Sequence, residues 1–140
     1  MSDHNQSISI VNVRGMLMVT MPSDPDDSTV TSLQNRVLAA LERHNSASVV
    51  LDISAVETLD SFFAQTVSET ARMVAVMGGR TIVVGMRPAV AVTATQIGIT
   101  LGNIETALTV DRALSMAIEG PPPTGGRGQP SQRRVTGGRR

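Results

Sequence analysis

Hydrophobic and polar positions along the chain change period several times, and each change marks an element. Two apolar runs rich in β-branched residues, Ile8–Val13 and Met16–Met21, flank Arg14-Gly15. A short Gly-containing break between such runs predicts a β-hairpin. Ser23–Ser28 is dense in Pro, Asp and Ser and reads as a loop, with Ser28 as the expected N-cap of the next element. Val30, Leu33, Val37 and Leu41 then fall three and four residues apart, one face of a helix ending near His44-Asn45.

Val49–Ile53 is a continuous apolar run, as expected of a strand buried on both faces. A second helix is predicted from Asp60, with an inward stripe of Phe63, Val67, Ala71, Val74 and Ala75, and Gly78-Gly79 to stop it. Thr81–Val84 repeats the buried-strand pattern. Pro88 suits the first turn of a third helix, where its missing N–H costs nothing. That helix runs through Val90, Ala94 and Ile97 to Gly98. A short edge strand near Ile104 and a last helix complete the series. Thr109 is the last helix's expected N-cap, with Val110, Leu114, Ala117 and Ile118 facing inward. Strands alternating with helices imply an α/β fold with a mixed, mostly parallel sheet of four to five strands, an N-terminal hairpin and about four helices. Residues 8–119 form the expected domain. Residues 1–7 and 120–140 have no periodicity and are expected to be disordered.

Composition removes several kinds of chemistry. There is no cysteine and no lysine, and the two histidines are His4 and His44. Thiolate chemistry, a Cys/His zinc set and a Walker phosphate loop are therefore not expected. No Gly-x-Ser-x-Gly elbow surrounds Ser61, whose neighbours read Leu59-Asp60-Ser61-Phe62-Phe63. Asp52, Glu57 and Asp60 read as turn and cap carboxylates, and Asp24, Asp26 and Asp27 as a solvated turn. No apolar run is long enough to span a bilayer and Met1–Ser7 has no secretory pattern, so a cytoplasmic protein without a cofactor is expected. Phe62 and Phe63 are the only aromatic residues, which disfavours single-stranded nucleic acid as a partner.

Charge is neutral overall but uneven. Residues 121–140 carry five arginines and no acid, whereas the other 120 residues set seven arginines against all twelve acids. The basic tail reads first as an inert solubilising extension. Arg133-Arg134-Val135-Thr136 also fits a basophilic kinase, an acidic partner or nucleic acid.

Ser61 is what remains. It follows a buried strand and a short loop, with Asp60 as N-cap, which places it in the first helical turn and within reach of a kinase. A helix N-terminus tolerates a phosphate, so modification there would change a docking surface and leave the fold intact.

The run Val49-Val50-Leu51-Asp52-Ile53-Ser54, then Leu59-Asp60-Ser61-Phe62, then Thr81–Ala91 with Gly98-Ile99-Thr100-Leu101, resembles the STAS family of bacterial anti-sigma factor antagonists over residues 8–118. Within it the chain looks similar to the small antagonist subunit of the stressosome. The resemblance implies a binding module with no enzymatic activity, in which Ser61 is phosphorylated by a partner-switching serine/threonine kinase and reset by a phosphatase. It implies self-association into a large assembly with larger STAS co-antagonists that carry sensor domains. This chain reaches its first strand by Ile8, so it is expected to be the sensorless subunit. Asp60 and Phe62 would frame the switch surface, and Thr93 stands near a second phosphorylatable threonine of the co-antagonists. Two other readings stay open: a stand-alone antagonist that binds its kinase directly, and a small-ligand or nucleotide-binding module, since parallel sheets often bind ligands at strand ends.

Overall fold

Two residues set the first turn. In a computed structural model of the chain, which describes residues 7–96 and 104–120, Arg14 and Gly15 have φ of 54° and 81°. Successive left-handed residues make the type I′ turn, whose twist matches that of paired strands. They join β1 (Ser9–Val13) to β2 (Met16–Thr20) as an antiparallel hairpin with Val13 opposite Met16.

All later pairings are parallel: β2 with β3 (Ser48–Asp52), β3 with β4 (Arg80–Val84), and β4 with β5 (Ile104–Ala107). The order is β1-β2-β3-β4-β5. Parallel neighbours need crossovers, supplied by α1 (Asp27–His44), α2 (Ser61–Val76) and α3 (Pro88–Gln96). The final helix, α4 (Val110–Glu119), follows β5.

Strand alternation divides the core in two. Leu17, Val19, Val49, Leu51 and Val83 pack with Val30, Leu33, Phe63, Val74, Val90 and Ala94 of α1, α2 and α3. Val50, Ile82 and Val84 point the other way and meet Ala113 of α4. Arg80 fastens this second layer. Its guanidinium pairs with both Glu105 carboxylate oxygens and donates to the Met116 carbonyl at 2.8 Å.

The expected fold class and element order are found, with three corrections of detail. Asp26 caps α1 instead of Ser28, accepting from the Thr29 amide at 2.9 Å, and Ser28 Oγ donates to the same carboxylate. These hydrogen bonds, that from the Thr29 amide foremost, hold the Asp26 carboxyl below its ordinary range. The acidic loop is thus part of a helix start. Ala75 is exposed, because α2 turns Thr66 and Thr70 inward along with the expected Val74. On α4, Ile118 is exposed and Leu114 only half-buried; Val110, Ala113, Met116 and Ala117 face the sheet. A small residue at 113 lets the helix approach Val50, Ile82 and Val84 closely. The expectations for residues 1–6, for Ile97, Gly98 and the Gly98–Leu101 run, and for the 121–140 tail lie outside the described residues.

One core hydroxyl is at odds with its surroundings. Thr81 is buried, and its Oγ1 has no hydrogen-bond partner among the described residues. The small void beside it is lined by Leu33, Val37, Val49, Leu51, Val67 and Thr70, and the Thr70 hydroxyl donates to Thr66 O. An unpaired buried hydroxyl costs about 1–3 kcal/mol. Thr81→Val keeps the shape and removes that cost, so the thermal midpoint is expected to rise by about 5 °C. An unchanged or lower midpoint in a calorimetric scan would show that the hydroxyl is bonded in solution.

Candidate functional site

The surface around Ser61 is assembled at the ends of β3 and β4. After Asp52 the chain leaves the sheet, and Ile53, Val56 and Leu59 are buried one every three residues. These three anchors tie the intervening loop to the core. Ile53 N donates to Val84 O at 2.9 Å, Val56 N to Ile53 O at 3.0 Å, and Ser54 N to Asp52 Oδ1 at 2.9 Å. Asp52 is thus occupied within its own turn, as expected of a turn carboxylate.

Asp60 then opens α2. Its backbone is extended (φ −101°, ψ 174°) and its carboxylate accepts from the Phe63 amide at 2.8 Å. This satisfies one of the first-turn amides that lack an intrahelical acceptor. Ser61 and Phe62 are exposed, Phe62 by 41%, while Phe63 and Ala64 are buried. The buried pair fixes the helix rotation. Asp60, Ser61 and Phe62 are therefore left exposed, with one Asp60 carboxylate oxygen engaged by the Phe63 amide. The three are consecutive in the chain.

Thr93 stands apart on α3, and its Oγ1 donates to Ala89 O of its own helix at 3.1 Å. No hydrogen bond links it to Ser61 among the described residues. Glu57 is exposed in the loop.

Two residues of the neighbouring loop support the site without having been singled out. Arg87, exposed after β4, donates from Nε to Ser54 O at 3.0 Å. Gly85 has φ of 80°, and a Cβ there would lie 2.6 Å from Ser54 Cβ. The two contacts couple the β4–α3 loop to the loop before Ser61. The available signal was a glycine directly after a buried strand, followed by the only cation of that segment.

Beneath the site is an apolar void of about 20 Å³, lined among others by Leu59, Phe63, Val67 and Met86. Small-molecule pockets need several hundred Å³. Among the described residues no group of three His, Asp or Glu could hold a metal ion, and no helix is long and apolar enough to cross a membrane. What the site offers is an exposed surface on which Ser54, Thr58 and Ser61 each present a hydroxyl side chain.

The family model of the STAS domain matches residues 7–113. The RsbT co-antagonist protein RsbRA of Bacillus subtilis (strain 168) is 26% identical over 94 residues, 67% of this chain but 34% of that protein. The chain therefore spans about a third of that relative's length. Among solved structures, a serine-to-glutamate variant of RsbS from Moorella thermoacetica is 28% identical with a TM-score of 0.70, covering 77% of this chain and 92% of the other. A chain from the molecular architecture of the stressosome, a signal integration and transduction hub, is 27% identical with a TM-score of 0.65, covering 76% and 93%.

Proposed function

Because the chain belongs to the STAS domain family and has stressosome relatives, we propose that it is a phosphorylation-controlled anti-sigma factor antagonist acting as a stressosome scaffold subunit. Unphosphorylated, it sequesters a partner-switching serine/threonine kinase. Phosphorylation of Ser61 releases that kinase, and a phosphatase resets the residue. Its partners are further copies of itself and larger STAS co-antagonists with sensor domains. It works in the cytoplasm as a binding module and catalyses no reaction.

The observation that carries this reading is the placement of Ser61. The hydroxyl is exposed in the first turn of α2, beside the Asp60 cap and the uncovered Phe62 ring. A phosphate there adds about 1.5–2 negative charges and three acceptor oxygens. The positive end of the helix dipole accommodates that charge, so the helix stays formed. The outward surface changes from a neutral hydroxyl and ring to a dianion next to a carboxylate. A partner that had buried Phe62 would have to desolvate that charge. Thr93 has a secondary place in this reading, since its hydroxyl must first leave its bond to Ala89.

Incubating the chain with its cognate kinase and ATP, then mapping phosphopeptides by mass spectrometry, tests the assignment. Phosphate is expected on Ser61, with no incorporation into Ser61→Ala at matched times. Phosphate elsewhere, with Ser61 unmodified, would overturn it.

A further inference from the structure

Between α1 and the edge strand β1 lies a pocket whose charge runs against that of the domain. Residues 7–120 set seven arginines against eleven acids. The pocket, of about 210 Å³, is lined instead by Arg36, Arg43 and His44 with Ile10, Ala39 and Ala40, and by no carboxylate among the described residues. Helical spacing accounts for the lining. At about 100° per residue, positions 36, 39, 40, 43 and 44 fall on one side of α1, whereas Glu42 falls about a third of a turn away from Arg36. The two alanines leave the hollow between the nitrogen-bearing side chains.

These side chains are not engaged elsewhere. Arg36 Nη1 donates to Ile8 O at 3.0 Å. That bond holds the guanidinium across the gap between helix and strand and uses one of its five N–H donors. The side chains of Arg43 and His44 make no hydrogen bond or ion pair among the described residues, whose ion pairs join Arg80 to Glu105 and Arg112 to Glu119. Nor does the end of α1 need them as caps. Asn45 is left-handed (φ 52°) and its amide donates to Glu42 O at 3.4 Å, while Ser46 N donates to Leu41 O at 3.2 Å. Two guanidiniums without carboxylate partners, converging on one hollow, are suited to an oxyanion, whose oxygens match the guanidinium fork. The volume is below the several hundred Å³ of a drug-sized pocket, so it suits a single anionic group. A phosphate monoester, with about 1.5–2 negative charges at neutral pH, answers two guanidiniums better than a carboxylate does.

We infer that this pocket binds a phosphate group, with Arg36 and Arg43 as its guanidinium ligands and the His44 ring beside them. A small phosphomonoester and a phosphorylated side chain of a partner protein present the same group to it. The inference does not depend on modification of Ser61, which follows β3 and shares no residue with this pocket.

Equilibrium dialysis of the full chain against radiolabelled inorganic phosphate, at constant ionic strength, tests this. Saturable uptake of one phosphate per chain is expected. Arg43→Gln should weaken it roughly tenfold or more, with the thermal midpoint unchanged because the side chain is exposed. Ala39→Leu keeps both guanidiniums and the helix but fills the hollow, and should weaken uptake as much. Arg72→Gln, on α2 and outside the pocket, should leave uptake as it is. No saturable uptake at millimolar phosphate would overturn the inference. So would uptake that both pocket variants keep, since the anion would then sit elsewhere, as on the five arginines of residues 121–140. Where the pocket variants do lose uptake, competition decides the source. A phosphoserine peptide that displaces the label, when its unphosphorylated form does not, assigns the phosphate to a partner protein. A peptide that leaves the label in place, when free phosphoserine displaces it, assigns the pocket to a small phosphomonoester.

Discussion

Ser61→Asp is expected to weaken binding of the switch kinase tenfold or more, while Ser61→Ala keeps the wild-type affinity. A tenfold loss corresponds to about 1.4 kcal/mol. Closing a partner over the exposed Phe62 ring strips water from the neighbouring side chain at 61. A hydroxyl tolerates this, because it can donate and accept in one small volume. A carboxylate buried without a cation costs several kcal/mol, and the adjacent Asp60 already supplies negative charge. The fold should not register the change. An acidic side chain in the first turn is favoured by the helix dipole by about 0.3–1 kcal/mol, and Asp60, which caps the helix through the Phe63 amide, is untouched. Thermal midpoints of the two variants should therefore agree within a few degrees while their affinities diverge. Calorimetric titration of the kinase into each variant measures this, and equal affinities would contradict a switch at Ser61.

The second large effect is expected at a position that carries no chemistry. Gly85→Ala should lower stability by about 2 kcal/mol or more. The left-handed backbone alone costs an alanine about 1–2 kcal/mol. Here φ is 80°, and the new Cβ would sit 2.6 Å from Ser54 Cβ and 3.0 Å from Ser54 Cα. Neither neighbour is the end of a flexible side chain, so the loop itself must move. That movement pulls on the Ile53–Val84 and Arg87–Ser54 hydrogen bonds and thus on the loop that presents Ser61. The expected result is a thermal midpoint lower by about 10 °C, together with weaker kinase binding. A midpoint within a degree or two of wild type would show that the two loops are not in contact in solution. Weakened binding in an undamaged fold would separate the loop's positioning role from its structural one.

These two positions differ in how legible they were. Ser61 was readable because every relevant signal is local. A continuous apolar run marks β3, Asp60 precedes a helical stripe, and the cap bond spans three residues. The sheet was readable for a similar reason, since fully apolar strands separated by helical stripes leave few arrangements. The Gly85–Ser54 contact and the Arg87 hydrogen bond join residues more than thirty apart, and no spacing rule reports such a pair. The cap of α1 was misread for a different reason, whereas Asp60 and Thr109 cap α2 and α4 as expected. The Ser23–Ser28 stretch offers several acceptor oxygens of similar quality, and the choice of Asp26 depends on which turn lets Val30 and Leu33 reach the sheet. On α4 the two candidate stripes share Val110 and Ala117. Hydrophobicity favours Leu114 and Ile118, but close packing on Val50, Ile82 and Val84 favours the small Ala113. Packing distance, which no hydropathy pattern encodes, decided the rotation.

The same contrast explains why a switch surface is a better description of this end of the sheet than a ligand pocket. The parallel strands end where ligands often bind, yet Ile53, Val56 and Leu59 close that end and leave an apolar void of only about 20 Å³. Polar groups that would orient a small molecule are instead engaged in loop geometry, as Asp52 is with the Ser54 amide. The exposed groups, Ser61 and Phe62, suit a protein partner.

We propose that this chain builds a scaffold whose hold on a kinase is set at Ser61. Its most direct test is the mass, by size-exclusion chromatography with light scattering, of the chain mixed with a sensor-bearing co-antagonist and the kinase, before and after ATP is added. The expected result is a particle many times the mass of one chain that carries the kinase, and that loses the kinase but keeps its own mass once Ser61 is phosphorylated. A mixture that never exceeds small oligomers, or a particle that keeps its kinase with Ser61 fully phosphorylated, would contradict it.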